Sequence, residues 1–158
     1  MPSYRGKFKP KNPKKYDGNP SNIWYRSLLE LRFMKYLDKS SNIVQWSSEE
    51  IAIPYKSPVD GKMHRYFPDF LVHIKQPDGS VKVMMVEIKP DIQTRAPKPL
   101  TEEKSTQLKY KRRYNKAAKT FAINKAKWNA AIVVCEHKGW EFKIMTEKTL
   151  GVKYGKKN

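Results

Sequence analysis

Asp69, Glu87 and Lys89 are the residues of this 158-residue chain whose types and spacing most directly suggest chemistry. They lie at the two ends of its most hydrophobic stretch, "RYFPDFLVHIKQPDGSVKVMMVEIKPD", Arg65 to Asp91. Within it, Phe70–Ile74 and Val81–Ile88 read as strands joined by a turn at Pro77, Asp78 and Gly79. Successive strand residues face opposite sides, so Glu87 and Lys89 project together, away from the face of Met84, Val86 and Ile88. Asp69 has the parity opposite to Phe70, and the hairpin can bring it beside Glu87. Two carboxylates that close repel and shift each other's pKa unless a cation joins them. Hard oxygen ligands suit Mg²⁺ or Mn²⁺, with waters completing the shell. Lys89, on the same face, can position or polarise an attacking water. These are the parts for metal-assisted phosphodiester hydrolysis. The same residues also admit a plain reading, with Glu87–Lys89 an exposed edge pair and Asp69 a turn residue after Pro68.

The elements around this hairpin must hold it. Ser21 or Asn22 can cap a helix running to about Asp38. Its apolar positions form two stripes, Trp24, Leu28, Leu31 and Tyr25, Leu29, Phe33, Tyr36, so the helix is expected to be largely buried, with Glu30 on a third row. Strand-like alternation follows in "EEIAIPYK", and Asp60-Gly61 supplies a turn. Met63–Phe67 reads as a strand passing through Pro68 into the next one. After a Pro-rich loop, a helix begins at about Thr101, with Glu102 and Glu103 in its favourable first turn. It carries Lys109, Lys111, Arg112, Arg113, Lys116 and Lys119, which form either a phosphate-tracking surface or a solvated face. "KWNAAIVVCEHKG" reads as helix because Trp128, Ala131, Ile132 and Cys135 keep helical spacing and Gly139 is a natural stop. Phe142 and Ile144 alternate as a last strand. The four tryptophans, Trp24, Trp46, Trp128 and Trp140, are expected in the core. His64, His73 and His137 share no metal-ligand spacing.

Composition narrows the class. Lys and Arg total 33 against 15 Asp and Glu, a formal net charge of +18. So large an excess points to a polyanionic partner. The charge is concentrated outside the hairpin: residues 1–20 carry six bases and one acid, and residues 101–127 nine bases and two acids. The single cysteine, Cys135, excludes an internal disulfide or a cysteine zinc cage. No apolar run suits a membrane span, and the first twenty residues lack the apolar core of a secretion signal. The expectation is a soluble protein of a reducing compartment. Residues 1–20 mix Pro, Gly, Asn and Lys with Tyr4, Phe8 and Tyr16 and show no period. They read as an extended basic arm, mobile until it meets DNA or protein and removable without loss of the fold. The domain proper is then 21–150, with 151–158 a basic tail.

Glu30 in "RSLLELRF", Pro68-Asp69 in "RYFPDFLV" and Glu87–Lys89 in "VEIKP" resemble, in that order, the PD-(D/E)XK nuclease superfamily and its transposon end-cleaving endonuclease subunits. "GKFKPKNPKKYDGNP", "IPY", "KWNAA" and "FKIMTEKTLG" extend the likeness, over nearly the whole chain, to the head completion nucleases of T-even-type tailed phages. The resemblance implies an α/β (α+β) restriction-endonuclease-like fold, a central mixed sheet flanked by helices. It implies Asp69 and Glu87 as metal ligands and Lys89 as the catalytic lysine, with Glu30 reaching the metal directly or through water. DNA contacts are expected from Lys109, Arg112, Arg113, Lys116 and Lys119. The cofactor would be Mg²⁺ or Mn²⁺. The partners would be double-stranded DNA and the portal, neck or other head-completion proteins, in the host cytoplasm during assembly or at the virion head-neck, and no membrane. Exonuclease action beside endonuclease action is open. So is a structural head-completion or neck protein that binds DNA and the portal without cutting, because a nuclease fold can persist as a structural module. A repair or restriction endonuclease is a third reading.

Overall fold

In the computed structural model, residues 4–151 are described. Residues 1–3 of the expected arm, and the expected tail beyond Gly151, lie outside the described residues. The chain runs through β1 (Gly6–Lys7), β2 (Trp24–Tyr25), α1 (Leu28–Lys39), β3 (Ile43–Ser48), β4 (Ile53–Lys56), β5 (Met63–Tyr66), β6 (Phe70–Lys75) and β7 (Val81–Ile88). After a loop come α2 (Glu102–Ser105), α3 (Leu108–Lys138) and β8 (Glu141–Met145).

The central sheet has the order β3-β6-β7-β8. The hairpin β6–β7 is antiparallel with Phe70 opposite Val86, β3 adds antiparallel to β6, and β8 adds parallel to β7. This is the expected mixed sheet. A parallel neighbour needs a long crossover, and α2 with α3 supplies it. The strand parity read from the sequence separates two cores. Phe70, Val72, Met84, Val86 and Ile88 pack with α1, while Met85 packs with Trp128, Ala131 and Cys135 of α3. Glu87 shares the parity of Met85 and so faces α3.

β3, in "NIVQWSS", has no counterpart in the sequence reading; its central residue is Trp46, which is fully buried. Met63–Tyr66 does not run on into β6. It pairs with β4 in a separate two-stranded ribbon, Ile53 opposite Tyr66 and Lys56 opposite Met63. The basic segment and "KWNAA" form one continuous helix, closed by Gly139 at φ 71°, the left-handed conformation that a glycine adopts without a Cβ penalty.

α1 starts five or six residues later than expected. Ser27 caps it, its Oγ accepting from Glu30 N at 3.1 Å, while Glu30 Oε2 accepts from Arg26 N at 3.1 Å. This reciprocal Ser-x-x-Glu arrangement outcompetes a cap at Ser21 or Asn22. The residues ahead of it are drawn into β2, paired with β1. Only one stripe of α1 is buried, through Leu29, Phe33, Met34 and Leu37; Leu28 and Tyr36 are exposed. Of the tryptophans, Trp46 and Trp128 are core, Trp140 is half-buried, and Trp24 is 47% exposed under the Lys7 ammonium.

The reading of residues 1–20 as a detachable, mobile arm is corrected by their side chains. The segment is extended, but Phe8 and Tyr16 are buried in the same core as α1. Tyr16 meets Trp46 edge-on at 4.8 Å, and Asp17 N donates to Trp46 O. Lys11 N and Asn12 N donate to the Asp38 carboxylate at 2.8 and 3.0 Å. Lys15 Nζ donates to the carbonyls of Leu37, Asp38 and Ser40 at 2.7–3.0 Å. An ammonium on the last carbonyls of a helix satisfies orphan acceptors and complements the helix dipole. Composition alone could not reveal this, because the two anchoring aromatics are isolated among polar residues.

Candidate active site

Register delivers the two acids. With Phe70 opposite Val86, the next pair outward is Asp69 and Glu87. Pro68 fixes the approach to Asp69, whose Oδ2 accepts from Ile88 N at 2.7 Å. Glu87 is buried, and its Oε2 accepts a hydrogen bond from the Tyr66 hydroxyl. Lys89 Nζ lies 3.6 Å from Glu87 Oε1. The structure therefore brings Asp69, Glu87 and Lys89 into one cleft of about 500 Å³.

Burial, the Glu87 charge and the Glu30 charge together push the Asp69 carboxyl well above the usual carboxylate range, against the Ile88 amide and Lys89. Burial likewise raises Glu87, opposed by Tyr66 and Lys89. Two carboxylates held together against their own repulsion form a site that a cation relieves.

Glu30 stands apart. Its oxygens are engaged at the α1 cap by Arg26 N and Ser27 Oγ, and burial raises its pKa, helped by the charge of Glu49. Among the described residues no three His, Cys, Asp or Glu converge closely enough to hold an ion by themselves. Of the expected metal ligands, Asp69 and Glu87 are together, and Glu30 is near enough to act on Asp69 electrostatically but is committed to its helix. A hard divalent cation still fits the pair: both donors are carboxylate oxygens, and Asp69 Oδ1 has no hydrogen-bond partner among the described residues.

Six further residues line the cleft, among them Tyr66, Lys127, Glu49 and Arg26. Tyr66 buttresses Glu87. Lys127 of α3 lines the cleft with its ammonium 5.7 Å from the ring centres of both Tyr55 and Tyr66. Burial, then the Lys89 charge, lowers its pKa, while Glu87 and Asp69 oppose. The helical period held the signal for Lys127, since Asn124, Lys127 and Ala131 fall on one face at i, i+3, i+7. Glu49 and Arg26, paired at 3.1 Å, also line the cleft. Glu49 sits at φ 55°, a conformation costing a residue with a Cβ about 1 kcal/mol or more, held by its N–H on Asp69 O at 3.2 Å. Nothing in the sequence announced it.

The first half of α3 carries none of the helix's buried residues. Lys109, Arg112, Arg113, Lys116 and Lys119 are all exposed there, and Tyr110 lies under the ammonium groups of Lys104 and Lys109. The helix thus stands clear of the sheet at one end and reaches the cleft at the other through Lys127. Beyond the cleft, Asp91 is tied to Lys148 at 2.9 Å and to Arg95, a structural clasp for the loop after β7.

Residues 40–147 match the family described as TnsA-like endonuclease N terminal. Over 149 residues the chain is 39% identical to the head completion nuclease of Enterobacteria phage T4, with 94% of each chain covered. No helix among the described residues is long and apolar enough to cross a membrane.

Proposed function

This chain belongs to the TnsA-like endonuclease N-terminal family, and we propose that it is a divalent-metal-dependent DNA endonuclease that acts in phage head completion, trimming packaged DNA before heads join tails. One observation carries the metal-dependent reading: two mutually destabilised carboxylates, Asp69 and Glu87, share a cleft with two ammonium groups, Lys89 and Lys127.

Asp69 and Glu87 would hold the ion, Mg²⁺ or Mn²⁺ by their hard oxygen donors, with Glu30 adding its negative charge nearby. The ion, when bound, supplies Lewis-acid stabilisation of the charge that builds on the scissile phosphate. Tyr66 fixes the Glu87 carboxylate through its hydroxyl. Lys89 orients and polarises the attacking water. Lys127, which has no ion-pair partner within 4 Å among the described residues, keeps its ammonium for the phosphate. Lys109, Arg112, Arg113, Lys116 and Lys119 carry the duplex toward the cleft. Portal or neck proteins are the docking partners in the infected cell or the maturing head.

Purified protein incubated with plasmid should nick or linearise it with Mg²⁺ or Mn²⁺ and leave it intact in EDTA. Binding without cleavage under every divalent ion would make the chain a structural head-completion component instead. Lys127→Ala should weaken cleavage about tenfold or more, the size of one charge-assisted hydrogen bond, while leaving the melting curve nearly unchanged.

Salt dependence tests the helix. Removing one cation from a phosphate should reduce the slope of log K against log salt by about 0.9. Changing Arg112, Arg113 and Lys116 together to Ala should therefore flatten it by up to about 2.7, at every DNA sequence alike. An unchanged slope would assign that face to solvent or to a protein.

A further inference from the structure

The β4–β5 ribbon carries an exposed face that the chemistry above does not use. Ile53 and Tyr66 of the ribbon are buried against α3. The alternate residues of β5, Met63 and Arg65, point the other way, and Met63 is 65% exposed. Phe67, one residue past the strand, joins them: the Arg65 guanidinium lies 5.8 Å from its ring centre. Phe67 is 43% exposed at the mouth of the cleft, two residues ahead of Asp69. Pro68 holds it in extended backbone. Lys56, opposite Met63, adds a second cation. A large aromatic left 43% exposed beside a cleft, with a cation against its ring, offers an apolar surface to whatever enters that cleft.

We propose that this outward face enters the minor groove of the substrate duplex, and that Phe67 wedges against the base step beside the cut, kinking the DNA into the cleft. The inference rests on the reading of the chain as a DNA nuclease. The side chains suit such a groove, with Arg and Lys for its acceptors and phosphates, and Phe with Met as apolar wedges. The formal charge of +18 favours a polyanion over a protein surface poor in acids as the occupant. The kink also has a use. Asp69 and Glu87 line the cleft and Glu87 is buried, so a bent backbone brings one phosphate closer to them than a straight one does.

The test uses a short duplex labelled at both ends, bound in EDTA, with end-to-end energy transfer reporting the bend. Wild-type protein should shorten the end-to-end distance and Phe67→Ala should not, while Phe67→Leu, which keeps an apolar wedge, should bend it partly. Phe67→Ala should cut intact duplex about tenfold more slowly, the scale of one stacked aromatic, and regain most of that loss on a duplex with a mismatch at the cut. Equal bending by wild type and Phe67→Ala would overturn the proposal. So would a wild-type protein that binds and cuts straight DNA, or a Phe67→Ala protein that bends DNA normally but fails to bind a neck protein. Absence of any DNA binding by the wild type would sink the nuclease reading as well, and is distinguished by that.

Discussion

Asp69→Asn and Glu87→Gln each lower cleavage at least about 10³-fold while raising the melting temperature of the metal-free protein. The catalytic half follows from the role proposed for the pair: the ion they would hold supplies several kcal/mol of transition-state stabilisation, and every 1.36 kcal/mol is a factor of ten. The stability half follows from burial. Each carboxylate is held above its ordinary pKa by desolvation, and Asp69 also by the Glu87 charge, so the folded protein is strained at neutral pH when both are ionised. An amide removes that charge without changing shape, and in Glu87→Gln the amide oxygen can still accept from Tyr66. For a domain of this size each kcal/mol regained lifts the melting temperature by about 2–4 °C. Melting curves in EDTA beside plasmid assays read both effects. A variant that cuts at the wild-type rate places the metal elsewhere, and one that melts lower than wild type means the pair is not repulsive.

The pH dependence has a definite sign. Because the folded pKa values of Asp69 and Glu87 are raised, their contribution to stability is fully present below the ordinary carboxylate range, about 4. It is lost as pH rises through the folded values. Carboxylates such as Asp91, held below the usual range by Lys148 and Arg95, contribute in the opposite sense, losing stability on acidification. The difference between wild type and Asp69→Asn isolates the site. That difference should widen from pH 4 towards neutrality in EDTA and shrink when a divalent ion is added.

Deleting residues 1–18 unfolds the protein. The cut removes Phe8 and Tyr16 from the main core, and the truncation of one buried aromatic costs about 3–5 kcal/mol. Two of them approach the whole stability of a typical domain, about 5–15 kcal/mol. The deletion also strips the amides from Asp38, leaving a buried carboxylate without its donors, and removes the Lys15 ammonium from the end of α1. Loss of a cooperative thermal transition is the expected result. A truncated chain that melts within a few degrees of the full one would mean the segment only rests on the surface.

What the sequence made legible was local. The hairpin β6–β7 was readable because two apolar runs flank a Pro-Asp-Gly turn, and the two-residue period of a strand set Asp69, Glu87 and Lys89 on one side. The helix stop at Gly139 was readable from a single residue. What stayed hidden depended on contacts between segments far apart in sequence. β3 is a short run bracketed by Asn and Ser, and only β6 makes it a strand. The start of α1 was misplaced because the aromatic stripe ahead of it continues the helical period, while the β1 pairing draws Trp24 and Tyr25 away. Tyr66 and Lys127 reach the site from a ribbon and a helix that meet only in three dimensions. The family resemblance supplied Glu30, and the structure gives it a second duty as a helix cap.

The length of α3 sets a ruler. Lys109 precedes Lys127 by eighteen residues, a rise of about 27 Å at 1.5 Å per residue. A duplex held at both points must extend about eight base pairs from the cleft, at 3.4 Å per step. A DNA end shorter than that leaves the outer half of the helix gripping nothing. On the proposed reading, affinity should therefore fall off as the duplex beyond the cut is shortened below about eight base pairs, and the length at which it does so measures the reach of the protein.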